Sequence, residues 1–265
     1  MRPAIALLTL LAILSFGKLG FTQLLEPKCI PSYATRVIGG RSARRSPWMA
    51  YLIRNNAFAC GGSLIAYRFV LTAGHCTQIP DNNLYVRLGE YDSSRTSDGR
   101  TAEYRVISTF RHEKYINFEH DDIAVLKLDR TVIYNDKIRP ICIFLNPGMQ
   151  SFVDRLQDFT LTGWGQTATY YQMPTTLQEM SLRRVDRYFC GAKSNTICCS
   201  NPSQFACFGD SGSPLGATMR YGRGYIYAQF GVTSSVTGNC DGYSTYVDVT
   251  SYLPWLLTTL RRNWL

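Results

Sequence analysis

The chain has 265 residues, 45% of them hydrophobic and 18% charged, with no long polar tract. That balance excludes a low-complexity chain and fits one large globular unit or two small ones. The formal charge of +9 is scattered, apart from Arg41, Arg44 and Arg45 and the pairs Arg183-Arg184 and Arg261-Arg262, so a polyanion-binding module lacks the clustered patch it needs.

Residues 1–20 begin with Arg2, run apolar from 4 to 14 and reach the small Ser15 and Gly17, which reads as a secretory signal peptide. The run is shorter than the roughly 20 residues that a bilayer core demands. Residues 21–36 form a short polar leader with Cys29 and two prolines, ending in Thr35-Arg36 before Val37-Ile38-Gly39-Gly40. From there to about residue 248, short β-type runs alternate with Gly, Asn, Asp and Ser. Leu84, Val86 and Leu88 fall on one face, the period of a half-buried strand. Residues 123–128 and 225–232 are more continuously apolar or aromatic, as buried strands are. Such spacing argues for a sandwich or barrel over a parallel α/β sheet. The end reads as a helix capped by Thr250, with Leu253, Leu256, Leu257 and Leu260 at three- and four-residue steps.

Nine cysteines in an exported chain point to disulfides. Their spacing matches no paired CxxC zinc knuckle, three histidines offer little to a metal, and the odd count leaves at least one thiol over. The sequence implies no metal or cofactor. Glu90, Asp92 and Asp98 offer oxygens for a calcium ion, and a polar surface loop is the simpler reading.

Three segments carry chemistry together. Leu71-Thr72-Ala73-Gly74-His75-Cys76 follows Cys60-Gly61-Gly62-Ser63. Asp121-Asp122-Ile123-Ala124-Val125-Leu126 lies mid-chain, and Gly209-Asp210-Ser211-Gly212-Ser213-Pro214 lies near the end. A serine hydroxyl is a poor nucleophile until a base takes its proton, and a buried carboxylate fixes and stabilises that base. In the order His, Asp, Ser, and with Pro47-Trp48, Gly163-Trp164-Gly165 and Arg139-Pro140-Ile141-Cys142 alongside, these segments resemble the chymotrypsin-like, trypsin-fold serine proteases over about residues 29–265. The insect haemolymph subgroup is the nearest in character, without its disulfide-knotted clip module.

The resemblance implies an all-β fold of two packed six-stranded antiparallel Greek-key barrels, about residues 37–145 and 146–265, with a C-terminal helix. It implies His75 as base, Asp122 as its partner (the family places this Asp directly before Ile-Ala, so Asp121 is the neighbour) and Ser211 as nucleophile. Backbone N–H groups of Gly209 and Ser211 would form the oxyanion hole. Cleavage after Arg36 would free the Val37 amino group to pair with Asp210. The implied disulfides are Cys60–Cys76, Cys190–Cys198 (with Cys199 the adjacent alternative), Cys207–Cys240, and Cys29–Cys142 tethering the leader, which leaves Cys199 free. The pocket floor is Phe205 followed by Ala206, where trypsin-like enzymes carry Asp. Its walls are Ser234-Ser235-Val236, which lacks the family's Trp and Gly, and Ser244. This composition disfavours Arg and Lys and fits a shallow apolar slot.

The resemblance thus implies a secreted zymogen of a serine endopeptidase working in an extracellular proteolytic or immune cascade. The competing reading is a weak or inactive homologue acting as a binding partner or cascade cofactor. Implied partners are protein substrates, an upstream trypsin-like activating protease and serpin-type inhibitors, with no nucleic acid or membrane.

Overall fold

The computed structural model describes residues 23–31, 46–78, 83–95, 101–166, 173–191, 194–201, 209–236 and 242–264. The expected signal peptide, Arg36, Val37, Asp98, Phe205, Ala206, Cys207 and Cys240 lie outside the described residues.

Strands β1 (Met49–Arg54), β2 (Ala57–Ala66), β3 (Phe69–Thr72), β4 (Leu84–Leu88), β5 (Ala102–Arg111) and β6 (Ala124–Leu128) close into a barrel in the order β1-β2-β3-β6-β5-β4. Asn55 and Asn56, both at positive φ, make the tight turn between β1 and β2, since a two-residue hairpin that follows the strand twist needs that conformation. Strands β7 (Asp158–Gly163), β8 (Gln178–Arg184), β9 (Thr196–Ser200), β10 (Pro214–Tyr221), β11 (Gly224–Val236) and β12 (Ser244–Asp248) form a second closed barrel. Followed from β7, its ring is β7-β8-β9-β12-β11-β10, the same path as the first. Neighbours in both barrels run antiparallel.

Period-2 reading holds in β4, where Leu84, Val86 and Leu88 are buried and Tyr85 is exposed. The apolar run at 123–128 becomes a strand only from Ala124, because Asp121 takes a left-handed φ of +50° and turns the chain just before it. The run at 225–232 is the centre of β11, which extends to Val236.

Two helices complete the described fold: α1 (Met149–Val153) and α2 (Leu253–Asn263). The expected cap at Thr250 is corrected. A 3-10 turn over Val249–Tyr252 precedes α2, and the side chain of Asp248 accepts from Thr250 N–H at its start. Of the four leucines on the expected face, Leu253, Leu256 and Leu260 are buried and Leu257 is only partly so.

The two chain ends cross over. The α2 leucines join the core of the first barrel, with Leu52, Leu64 and Phe69. Leu24 and Cys29 of the leader join the core of the second, with Phe144, Phe159 and Phe230. Leu25 N–H donates to Ile143 C=O and Leu145 N–H to Gln23 C=O, so the leader pairs with the segment linking the barrels. Between the barrels Trp48 stacks on Tyr227 at 4.8 Å and 3°, and Ser63 Oγ donates to Gln229 Oε1 at 2.7 Å.

Candidate active site

His75 sits in a 3-10 turn, Gly74–Thr77, immediately after β3. The disulfide Cys60–Cys76 ties that turn to β2. Asp122 lies at the entry to β6, which pairs with β3, so barrel closure brings the two together. Asp122 is 1% exposed and His75 23%. Asp122 Oδ1 accepts the His75 backbone N–H at 2.7 Å, and Oδ2 lies 2.8 Å from His75 Nδ1. A carboxylate there accepts a hydrogen bond from Nδ1–H, which fixes the tautomer and leaves Nε2 as the proton acceptor.

Ser211 comes from the second barrel, in the loop entering β10. Its C=O accepts Gly61 N–H at 2.8 Å, and Gly212 N–H donates to Thr233 C=O at 2.8 Å. The loop is therefore stitched to both barrels. Among the described residues Ser211 Oγ makes no hydrogen bond to His75, and such bonds are often long or absent in unliganded sites. Gly209 has φ +99°, and a Cβ there would lie 3.1 Å from Gly165 Cα. Both the positive φ and that close approach favour glycine here. Asp210 is buried and accepts Gly165 N–H at 2.9 Å. A Cβ on Gly165 would fall 2.2 Å from that carboxyl group, which explains the Gly-Trp-Gly segment in physical terms.

Ser234, expected on a pocket wall, has its Oγ 2.6 Å from Asp122 Oδ2 and 2.7 Å from Phe118 C=O, a contact that its motif does not announce. Its single proton serves one acceptor at a time. The cause is a register shift between Thr233 and Ser235 where β11 pairs with β12, since a bulge re-aims the side chain it leaves unpaired. No spacing in the sequence announces that bulge. Val236 and Ser244 face each other across the same pair of strands. Val236 packs on the second core, and Ser244 is 3% exposed.

Ser213 Oγ is buried with no hydrogen-bond partner among the described residues. It occupies the space that a Cβ on Gly61 would need, 2.0 Å away. An unmet buried hydroxyl costs ~1–3 kcal/mol.

The structure contains Cys29–Cys142, Cys60–Cys76 and Cys190–Cys198, and Cys199 is a buried free thiol. Of the oxygens weighed for calcium, those of Glu90 and Asp92 have protein partners: Glu90 Oε2 accepts from Arg87, and Asp92 accepts from Ser94 and Arg95. Of the Arg183-Arg184 pair, Arg184 is structural, donating to Leu156 and Val153 carbonyls. Among the described residues, no helix is long and apolar enough to cross a membrane.

Two closed barrels of one topology, with a histidine–carboxylate pair from the first beside a serine loop from the second, define a chymotrypsin-like serine protease fold. Residues 37–256 match the family model described as Trypsin. The chain is 30% identical over 260 residues to "Serine protease grass" of Drosophila melanogaster, covering 86% of this chain and 68% of that protein. It is 33% identical over 270 residues to "CLIP domain-containing serine protease B15" of Anopheles gambiae, covering 89% and 72%. To the "Proclotting enzyme" of Tachypleus tridentatus it is 31% identical over 249 residues, covering 84% and 65%. The chain belongs to the trypsin family.

Proposed function

We propose that this chain is a secreted serine endopeptidase made as a zymogen, with Ser211 as nucleophile, His75 as general base and Asp122 as the carboxylate behind it. The observation that carries the reading is Asp122, 1% exposed, holding His75 by both its backbone N–H and Nδ1. Ser211 Oγ bonds to the substrate carbonyl carbon while its proton passes to His75 Nε2. The C–N bond then breaks as His75 protonates the leaving amine, and water releases the acyl group by the same route. Backbone N–H groups of Gly209 and Ser211 would stabilise the oxyanion, at ~2.7–4 kcal/mol per donor.

Cleavage after Arg36 would free the Val37 ammonium to pair with Asp210, an order–disorder switch driven by one charge-assisted contact. With Phe205 in place of an acidic floor, and Val236 and Ser244 on the walls, the substrate residue before the cut bond is a small or medium aliphatic one. Named relatives include a proclotting enzyme, which supports a place in an extracellular proteolytic cascade with a trypsin-like activator upstream and serpin-type inhibitors.

The test is to cleave the full chain at Arg36, treat it with a fluorophosphonate, and profile it on a mixed peptide library. Labelling at Ser211 that vanishes in Ser211→Ala, with cleavage after aliphatic residues, is expected. Absent labelling and turnover in the cleaved wild type would instead favour the non-cleaving homologue, a reading that the Phe205, Val236 and Ser244 substitutions keep in play.

A further inference from the structure

Asp121 precedes the carboxylate that holds His75, and its own carboxylate bonds elsewhere. Its φ of +50° lies in the left-handed region, where a non-glycine residue is strained and persists only when its surroundings hold it. Ile123 N–H donates to Asp121 C=O at 2.8 Å, closing a three-residue turn around Asp122. The placing of Asp122 therefore depends on what holds its neighbour.

Tyr252 does the holding. It enters from the turn that leads into α2, and its hydroxyl donates to Asp121 Oδ1 at 2.8 Å. His112 Nδ1 lies 3.7 Å from the same oxygen. The His112 ring packs edge-on against Tyr252 at 5.2 Å and 88°, and against Trp255 at 5.2 Å. The His112 backbone N–H also donates to Ile123 C=O at 3.0 Å, so both ends of the turn are gripped. Burial first, and then the Asp121 carboxylate, push the Tyr252 hydroxyl pKa up, which keeps it a donor at neutral pH.

We propose that Asp121, locked by Tyr252, is a positioning residue that sets where Asp122 Oδ2 meets His75 Nδ1. The proposal rests on the protease reading for its kinetic consequence but not for its structural one. In the full chain cleaved at Arg36, Tyr252→Phe is expected to lower kcat about tenfold with KM unchanged. Asp121→Ala should do at least as much. Asp121→Asn keeps an acceptor for Tyr252 and tolerates the left-handed region, so it should recover most of the loss.

The bond is also readable without turnover. The His75 Nδ1–H proton, shared with a carboxylate, gives a far-downfield proton NMR signal. That signal is expected to broaden or move in Tyr252→Phe and Asp121→Ala and to return in Asp121→Asn. A chain that cuts nothing still reports through this proton, so failure of the protease reading is distinguishable from failure of this one. If Tyr252→Phe and Asp121→Ala keep the wild-type signal and any wild-type kcat, and only the melting temperature falls, the proposal is overturned.

Discussion

Cys199 is sealed in the second barrel on β9 at 0% exposure. Burial pushes its thiol from 9.0 up to about 12, partly opposed by the nearby Arg184. Two outcomes follow at this scale. At about pH 8 the folded chain should resist alkylation at Cys199, whereas the urea-unfolded chain should react at the ordinary rate of a free thiol. The second concerns stability. The unfolded thiol ionises first, so its contribution is complete below about pH 9 and is lost as the pH climbs towards 12, at most ~1.4 kcal/mol per pH unit. Urea midpoints measured at about pH 8 and pH 10 should fall further in wild type than in Cys199→Ala. Equal falls in the two proteins would show that Cys199 does not titrate differently on folding.

At the scale of elements, the 3-10 turn that leads into α2 hangs on Asp248. Its carboxylate, 0% exposed, accepts from Thr250 N–H at 2.9 Å and Gln150 Nε2 at 2.7 Å, with Thr250 Oγ1 at 2.6 Å. Asp248→Ala should cost about 2 kcal/mol in urea denaturation, since it removes a cap and strands buried donors. Burial pushes the Asp248 pKa up, so charge is not what the site favours, and Asp248→Asn should lose clearly less. A full loss in both variants would mean that the charge, rather than the acceptor geometry, anchors the turn. The same element shows what sequence can and cannot carry. The leucine spacing of α2 is legible because it follows from helical periodicity. Its start is not, because the chain first makes a 3-10 turn capped by Asp248, and α2 then begins at Leu253 with no side-chain cap of its own. Likewise the motifs around His75, Asp122 and Ser211 are local, whereas Ser234 reaches an Asp122 that is 112 residues away in sequence, from a bulge where β11 pairs with β12. The strand order of each barrel is hidden for the same reason, as β3 meets β6 only through long-range pairing.

At the scale of the whole molecule, the N-terminal segment 23–31 is part of the body. Cys29 and Cys142 are joined across 113 residues, and Leu24 is 6% exposed in the second core. A disulfide closing a loop of that length stabilises by roughly 4–5 kcal/mol in the chain-entropy account. Replacing both cysteines with serine should therefore lower stability by several kcal/mol, read as a lower urea midpoint. After cleavage at Arg36 the leader should leave the larger chain only under combined reduction and denaturation. Release by reduction alone would show that the Leu24 and Leu25 contacts hold nothing.

The crossed ends also set a timetable. The core of the first barrel includes Leu253, Leu256 and Leu260, yet its last strand ends at Leu128. At roughly 5–20 residues per second of synthesis, that barrel emerges and waits on the order of ten seconds for its own lid to be translated. During the wait its apolar flank is open to other chains. The vulnerable moment in the life of this protein thus falls during its own synthesis, before α2 has been made.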